Sequence, residues 1–390
     1  MHYLFQISCR LSVVALSLIL VACASTSSNR TITQVPLQTA TAVSAEQALA
    51  VGVVVFDPGL QHAAEEDTSA PAIRKAESVY MARHLARTME KTGAWGAVRV
   101  IPNAEVIVDV VVQGTIVKSD GTELSVDIVA QDSAGQTWLK KRYSEDSASS
   151  SYYPANTQDP FQNIYNRIAN DLMKERNDLA TGRGKELQLI SDIRFAREFS
   201  PQAFSSHLEE KRNGSYELTR LPAANDPIFE RVARIRERDY LFIDTLDEYY
   251  DSFSRDMGES YQQYRAQSFE EMMAKRELEA QARMRMVVGV ATVLAGVAAA
   301  SAGDQSINAM TGIAIAGGGM IFNDGLNKRR EASMHAQALD ELSLSLSEDI
   351  QPHVVSLDDR TVTLTGTVEQ QYAQWKELLL RIYEQERGTI

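Results

Sequence analysis

The scarcity of cysteine constrains what this chain can fold into more than any other feature. Its 390 residues contain two cysteines, Cys9 and Cys23, and both lie close to the amino terminus. Residues 24–390 can therefore form no internal disulfide, so their fold has to be stabilised by the burial of apolar side chains. A chain of this length is typical of two or three domains.

An uncharged apolar run, Leu11–Ala22, follows the single charged side chain Arg10. The run is as long as the apolar region of a signal peptide and too short to span a bilayer. It ends in the sequence LVAC, in which Cys23 is the last residue. This sequence resembles the lipobox of bacterial lipoproteins. The resemblance implies that residues 1–22 are a cleaved signal peptide and that Cys23 carries acyl chains; the alternative is an ordinary signal peptide with a chance cysteine.

The residues after Cys23 suggest where the anchor is sorted and how far it reaches. Ala24 stands where Asp would retain a lipoprotein in the inner membrane, so resemblance to the sorting rule of enteric bacteria implies the outer membrane. Each buried CH2 group of an acyl chain contributes about 0.8 kcal/mol to anchoring. Residues 23–46 are polar, small and nearly uncharged, which predicts a flexible lipidated tether and a protein that faces the periplasm.

The charge balance limits the classes of partner. The formal net charge is −13, from 52 acidic and 39 basic residues. This excess of acidic residues argues against nucleic-acid binding and against electrostatic attachment to anionic lipid. The expected partners are the outer membrane, through the acyl chains, and either another protein or further copies of this chain.

Residues 47–145 have the pattern of an α/β domain. A continuous apolar strand, 49–56, ends at a turn of Asp, Pro and Gly, and it is followed by an amphipathic helix, a short strand and a three-strand meander. This order resembles the periplasmic fold shared by the TolB amino-terminal domain, the CsgG curli secretion lipoprotein and LpoB-type lipoproteins. The resemblance implies a docking or ring-forming module without catalysis; the alternative is an unrelated α/β sandwich.

The middle of the chain is mainly helical. Residues 146–225 are expected to be a connector of loops and helices, with segment 187–199 either helix or strand. Residues 226–285 have the pattern of one long charged helix, with a possible break at Gly258. An aromatic and aliphatic stripe recurs along it at nearly the helical period: Phe242, Leu246, Tyr249, Phe253, Met257, Tyr261 and Tyr264. The stripe is either part of the core or a surface for a partner.

Two uncharged runs rich in Gly and Ala occupy residues 286–323, on either side of Asp304. Each is near the lower length limit for a bilayer span. Small residues spaced along a helix allow close helix packing, and the segment resembles the glycine-zipper segments of envelope lipoproteins. We expect a helical hairpin that contacts a membrane or other copies, or else a buried soluble hairpin. The predicted contact residues are Gly289, Gly296, Gly312, Ala316 and Gly318.

Residues 324–390 have the order helix, strand, strand, helix. The stretch RTVTLTGTV at 360–368 resembles the BON domain, a small periplasmic α+β module associated with the envelope and with phospholipid contact. We expect no counterpart of that family's last strand in residues 324–390.

No pattern in the sequence indicates catalysis, a metal site or a cofactor. The histidines are scattered, and His-Glu-x-x-His, Gly-x-Ser-x-Gly and phosphate-loop motifs are absent. Asp57 follows a strand and could be a site residue, although a turn is the commoner role. We expect an α+β, non-enzymatic outer-membrane lipoprotein that acts as a structural or assembly factor of an envelope complex. The alternatives are an oligomeric CsgG-like secretion or export channel and a regulator of an envelope enzyme.

Overall fold

A computed structural model describes residues 33–40, 44, 48–60, 71–152, 158–274, 276, 353–357 and 360–388. These residues form helices, a mixed five-stranded sheet and small two-stranded sheets. The predicted α+β class is confirmed. The predicted signal peptide (1–22) and the Gly/Ala-rich segment (286–323) lie outside the described residues.

The five-stranded sheet has the order β2-β1-β3-β4-β5. The central strand β1 runs parallel to β2 and to β3, whereas β3, β4 and β5 form an antiparallel meander. Helix α1 connects β1 to β2, as the sequence pattern predicts. The bounds are β1 Val51–Val54, α1 Pro71–Lys91, β2 Val98–Ile101, β3 Val110–Ser119, β4 Glu123–Asp132 and β5 Thr137–Asp146.

Helices follow the sheet, with one short hairpin among them. Segment 187–199, for which the sequence left helix and strand open, is helical. The bounds are α2 Ser149–Tyr152, α3 Gln162–Asn177, α4 Arg183–Phe199, α5 Pro201–Phe204, β6 Leu208–Glu210, β7 Tyr216–Leu218, α6 Pro227–Asp256 and α7 258–274.

Helix α6 begins where its first residues predict. The Asp226 side chain accepts hydrogen bonds from the backbone N–H groups of Ile228 and Phe229, at 2.9 and 3.2 Å, and Pro227 occupies the first turn. A turn at Met257 separates α6 from α7, next to the break considered at Gly258.

Acidic residues on α6 attach this helix to α1 and to the edge of the sheet. Asp247 accepts a hydrogen bond from the backbone N–H of Val100 in the edge strand β2, at 2.7 Å. Asp251 pairs with Arg83 of α1 at 2.6 Å and with Arg87 at 2.7 Å. The apolar stripe is part of the core, because Phe242, Leu246, Phe253, Met257 and Tyr261 are all buried.

The carboxyl-terminal strands and helix form a hairpin and a helix that packs on α6. Strands β8 (His353–Leu357) and β9 (Arg360–Leu364) are antiparallel, and α8 is Val368–Gly388. The chain turns from β9 into α8 at Gly366, which has a φ of 100°, and α8 begins two residues later. Trp375 of α8 stacks on Phe242 of α6, with ring centroids 4.9 Å apart.

Residues 33–40, which we call the strap, lie along α3. Asn163 Nδ2 donates to Thr33 O (3.1 Å), and the Val35 N–H donates to Asn163 Oδ1 (2.8 Å). Asn166 Nδ2 donates to Val35 O at 2.7 Å. The flexible-tether prediction for residues 23–46 is therefore corrected over the strap. The reason is that an asparagine amide offers both a donor and an acceptor to an extended backbone.

Candidate functional site

The most unusual chemical feature of the described residues is a set of charged and polar side chains enclosed between α1, the start of α3 and α7. We call it the polar cluster. It consists of Arg74, Glu77, Tyr80, His84, Asp159, Tyr165, Tyr261 and Arg265. Groups of this kind are rarely enclosed unless they are paired.

An ion pair lies at the centre of the polar cluster. Arg265 Nη2 lies 2.8 Å from Asp159 Oδ2, and each side chain is 1% exposed. The Tyr80 hydroxyl donates to the same carboxylate oxygen at 2.9 Å. The Arg265 guanidinium also lies over the Tyr261 ring, 4.2 Å from its centroid. Burial of this pair is compensated by hydrogen bonds and cation–π contact.

A second acid, Glu77, lies in the same enclosure. Its carboxylate accepts hydrogen bonds from Ser119 Oγ at 2.8 Å and from the Tyr261 hydroxyl at 2.9 Å. Arg74 Nη1 lies 3.5 Å from its other oxygen. Burial raises the pKa of Glu77 above its usual value, against the opposing effects of Arg74 and of the two hydrogen bonds. Glu77 therefore joins α1 to both β3 and α7.

The local sequence explains why these side chains meet. Residues 74, 77, 80 and 84 follow one stripe of α1 because their spacings of three and four match the helical repeat. Tyr261 and Arg265 are likewise four apart in α7. Asp159 precedes α3 and accepts the backbone N–H of Phe161 at 2.8 Å, which fixes the carboxylate at the start of the helix.

The pKa values of the two acids in the polar cluster are shifted in opposite directions. Burial would raise the pKa of Asp159, but the charge of Arg265 and the hydrogen bonds from Arg265 and the Phe161 N–H hold that pKa well below its usual range. Burial also lowers the pKa of His84, whose Nε2–H donates to Gln162 Oε1 at 2.7 Å. At neutral pH the enclosure thus contains an ionised Asp159 and a neutral His84.

The polar cluster is suited to fastening helices together. Its central atoms are covered by α1, α3 and α7, so that a substrate would reach them only if one of these helices moved. Removal of one member of such a pair leaves an uncompensated buried charge and is strongly destabilising. The arrangement therefore holds α7 against the α/β domain.

A separate open cleft lies between α4 and α6. It encloses about 220 Å³ and is mainly apolar, with Phe195, Phe229, Val232, Ala233, Asp192, Arg236, Glu237 and Tyr240 along its walls. The Arg236 guanidinium in its wall already donates to Ser191 O at 2.7 Å and to the Tyr240 hydroxyl at 2.7 Å. The volume fits an apolar side chain or a small ligand of that size.

Asp57, the candidate site residue that the structure describes, lies in neither location. The predicted lipidation and contact residues lie outside the described residues; they are Cys23, Gly289, Gly296, Gly312, Ala316 and Gly318. Asp57 is a turn former, because its Oδ1 accepts the Gly59 N–H at 2.8 Å. His84 belongs to the polar cluster, whereas His207 bonds Arg220 O at 2.9 Å near the β6–β7 hairpin.

The sequence pattern alone did not predict the polar cluster. Asp159 lies in a loop and Arg265 in a run of charged residues. The local sequence at neither position indicates that the side chain is buried. The spacing of Tyr261 and Arg265 on the face of the apolar stripe was the available signal, because a charge on the buried face of a helix requires a partner.

Within the described ranges, no group of three or more His, Cys, Asp and Glu side chains could hold a metal ion. None of the helices in those ranges is long and apolar enough to cross a membrane.

Comparisons with known proteins give no family. No protein-family model matches the chain, and no curated protein matches it. A crystal structure of a DUF330 protein from Xanthomonas campestris covers 41% of this chain and 96% of its own, with 9% identity and a TM-score of 0.21. A likeness at this score supports no statement about fold or function.

Proposed function

We propose that the protein is a non-enzymatic lipoprotein of the outer membrane, anchored through Cys23 and facing the periplasm. The observation that carries the proposal is the sequence LVAC at the end of an uncharged apolar run. Acyl chains on Cys23 would hold the chain at the membrane surface without help from its charge, which is −13 and unsuited to anionic lipid.

The structure supports an anchored role through the strap. Residues 33–40 are hydrogen-bonded to α3, and Leu37 and Ala40 pack against the core. Only residues 24–32 separate Cys23 from the strap, and they can reach at most about 35 Å when fully extended. The α/β domain would then act close to the membrane.

Within the envelope we assign a structural or assembly role. Helices α6 and α8 and the five-stranded sheet are joined into a scaffold by hydrogen bonds and aromatic contacts. Examples are the Asp247 carboxylate with the Val100 N–H and the Trp375 ring with the Phe242 ring. The partner would be another envelope protein or further copies of this chain. Light scattering of the detergent-extracted protein after size exclusion separates these possibilities, and a discrete ring would favour the export-channel alternative.

The test of anchoring compares the parent with Cys23→Ala in cells that process lipoproteins. We expect radiolabelled palmitate to enter the parent and not the variant. We also expect the parent in the outer-membrane fraction and the variant outside it. Equal label in both proteins, or no label in the parent, would contradict the proposal. Cys9→Ala is the matched control, because Cys9 lies within the predicted signal peptide, and it should leave labelling unchanged.

A further inference from the structure

We propose that one end of the five-stranded sheet is the membrane-facing end of the α/β domain. This end contains the β3–β4 turn at 120–122, the end of β5 and the first turn of α3. The proposal rests on the proposed function, because it takes Cys23 to be acylated. It adds the orientation in which the domain meets the bilayer.

The strap enters the domain at this end. Thr33 O accepts from Asn163 Nδ2 at 3.1 Å, and the same Nδ2 donates to Glu145 Oε1 at 2.7 Å. Thr33 is thus placed beside the last residues of β5 and the start of α3. From there the strap runs along α3 to Ala40, whose N–H donates to Thr92 O at 2.7 Å.

The last described turns of the helical middle cross the same end. Arg276 Nη2 donates to Thr122 Oγ1 in the β3–β4 turn at 2.7 Å. Gly121 in that turn approaches α7 so closely that a Cβ there would lie 2.7 Å from the backbone nitrogen of Phe269.

Strand register places both sets of contacts at one end of the sheet. Leu124, two residues after Thr122, pairs with Glu145 across β4 and β5. The strap contact at Glu145 and the Arg276 contact at Thr122 therefore lie close to each other, at the same end of the neighbouring strands β4 and β5.

This convergence has a consequence for the bilayer. Residues 24–32 and residues 277–285 can each extend by at most about 35 Å. Residues 24–32 lead back to Cys23, and residues 277–285 lead on to the Gly/Ala-rich residues that begin at 286. Because residues 24–32 start at this end of the domain and lead to the acylated Cys23, this end faces the bilayer that holds the acyl chains. The chain also leaves toward residue 286 from the same end.

The opposite end of the sheet is then directed away from the lipid. It carries the β4–β5 turn, where Ala134 O accepts from the Tyr216 N–H at 2.8 Å next to the loop 211–215. The ten-residue strands β4 and β5 separate the two ends by about 30 Å. Partners would meet this distal end without contacting the membrane.

The experiment uses two variants of the full, lipidated protein, each with one introduced cysteine. Ser150→Cys is exposed at the proposed membrane-facing end, and Arg212→Cys is exposed at the distal end. With Cys23 acylated, the introduced thiol is the only one free for a donor dye. Each protein is reconstituted into phosphatidylethanolamine vesicles with an acceptor dye on a fraction of the headgroups, and energy transfer is measured.

We expect transfer from position 150 to be about twofold or more that from position 212, because the ends differ by about 30 Å. Equal transfer, or stronger transfer from position 212, would overturn the orientation. Intact mass before labelling separates the two hypotheses. An unacylated chain overturns the proposed function and this inference with it, whereas an acylated chain with equal transfer overturns the orientation alone.

A strap variant provides the second test. Asn163→Ala together with Asn166→Ala removes the side-chain hydrogen bonds to Thr33 and Val35. With circular dichroism confirming the fold, we expect the difference in transfer between positions 150 and 212 to decrease. An undiminished difference would show that the strap does not set the orientation.

Discussion

Arg265 of α7 and Asp159, which precedes α3, form an ion pair of 2.8 Å in which both side chains are almost fully buried. The two residues are more than a hundred positions apart in the chain, and each supplies the charge that makes burial of the other tolerable. Their pairing ties the helix that leads toward residue 286 to the α/β domain.

Loss of one charge of this pair should be severe. We expect Asp159→Ala to lower the free energy of unfolding by about 3–5 kcal/mol, because Arg265 would keep its charge without a partner. Urea denaturation followed by circular dichroism measures this. The double variant Asp159→Leu/Arg265→Met should lose less than the single variant.

The matched control is an exposed ion pair. Lys174 and Asp178 are 2.6 Å apart, and their side chains are 68% and 60% exposed. Asp178→Ala should change stability little, because solvent screens such pairs. If Asp159→Ala were no more destabilising than Asp178→Ala, the polar cluster would not be the attachment of α7.

A buried acid on α6 predicts a pH dependence. Asp239 accepts a hydrogen bond from Trp375 Nε1 at 3.1 Å, and burial raises the pKa of Asp239 from 3.8 to about 6. Between pH about 4 and about 6 the folded protein thus holds a proton that the unfolded chain has released. This contribution to stability is complete below pH about 4 and is lost as the pH rises through about 6.

Asp239→Asn should remove that contribution while it keeps a hydrogen-bond acceptor for Trp375. The free energy of unfolding of parent and variant is measured from pH 4 to pH 7. Over this range the parent should lose on the order of 2–3 kcal/mol more than the variant. Glu77, Asp109 and Asp247 also have pKa values raised by burial, so the difference between the two proteins is the relevant quantity. Parallel curves would contradict the assignment to Asp239.

The β3–β4 turn predicts a glycine requirement. Gly121 has a φ of 79°, and an added Cβ would lie 2.7 Å from both Arg265 O and Phe269 N. Gly121→Ala should therefore displace α7 and raise amide hydrogen exchange there, in addition to a backbone strain of about 1–2 kcal/mol. Gly182→Ala is the control, because its φ is 82° and no atom lies within 4 Å of the added Cβ. Equal exchange in α7 of both variants would contradict the close approach.

The strap predicts a local sensitivity to protease. Asn170 Oδ1 accepts from Gln38 N at 2.8 Å, and its Nδ2 donates to Pro36 O at 3.0 Å. Asn170→Ala should accelerate thermolysin cleavage before Leu37 several-fold without a comparable change in global stability. Asn177→Ala, at the end of the same helix, should leave the cleavage rate unchanged; acceleration in both variants would show a general loosening of α3.

Much of the α/β domain followed from the sequence pattern. The apolar run around Val51 and the polar turns at Asp120 and Asp132 each use local chemistry to define an element. These signals are strong because they depend on neighbours in the chain. The residual ambiguity at 187–199 arose because a short apolar pattern fits a helix and a strand alike.

The polar cluster and the strap could not be predicted in the same way. Burial of Arg265 depends on Asp159, and attachment of Val35 depends on Asn163 and Asn166, all more than a hundred residues away. The composition of residues 33–40 favours a flexible segment. It contains no information about the side-chain amides of Asn163 and Asn166, which hold this segment in the fold. Such pairings become visible once the fold places the partners together.

Intact mass spectrometry of the protein extracted from membranes is the decisive test of the lipid anchor. We expect a chain that begins at Cys23 and carries the added mass of a diacylglycerol and an amide-linked acyl group. A chain that retains residues 1–22, or one that begins elsewhere without added lipid, would contradict it.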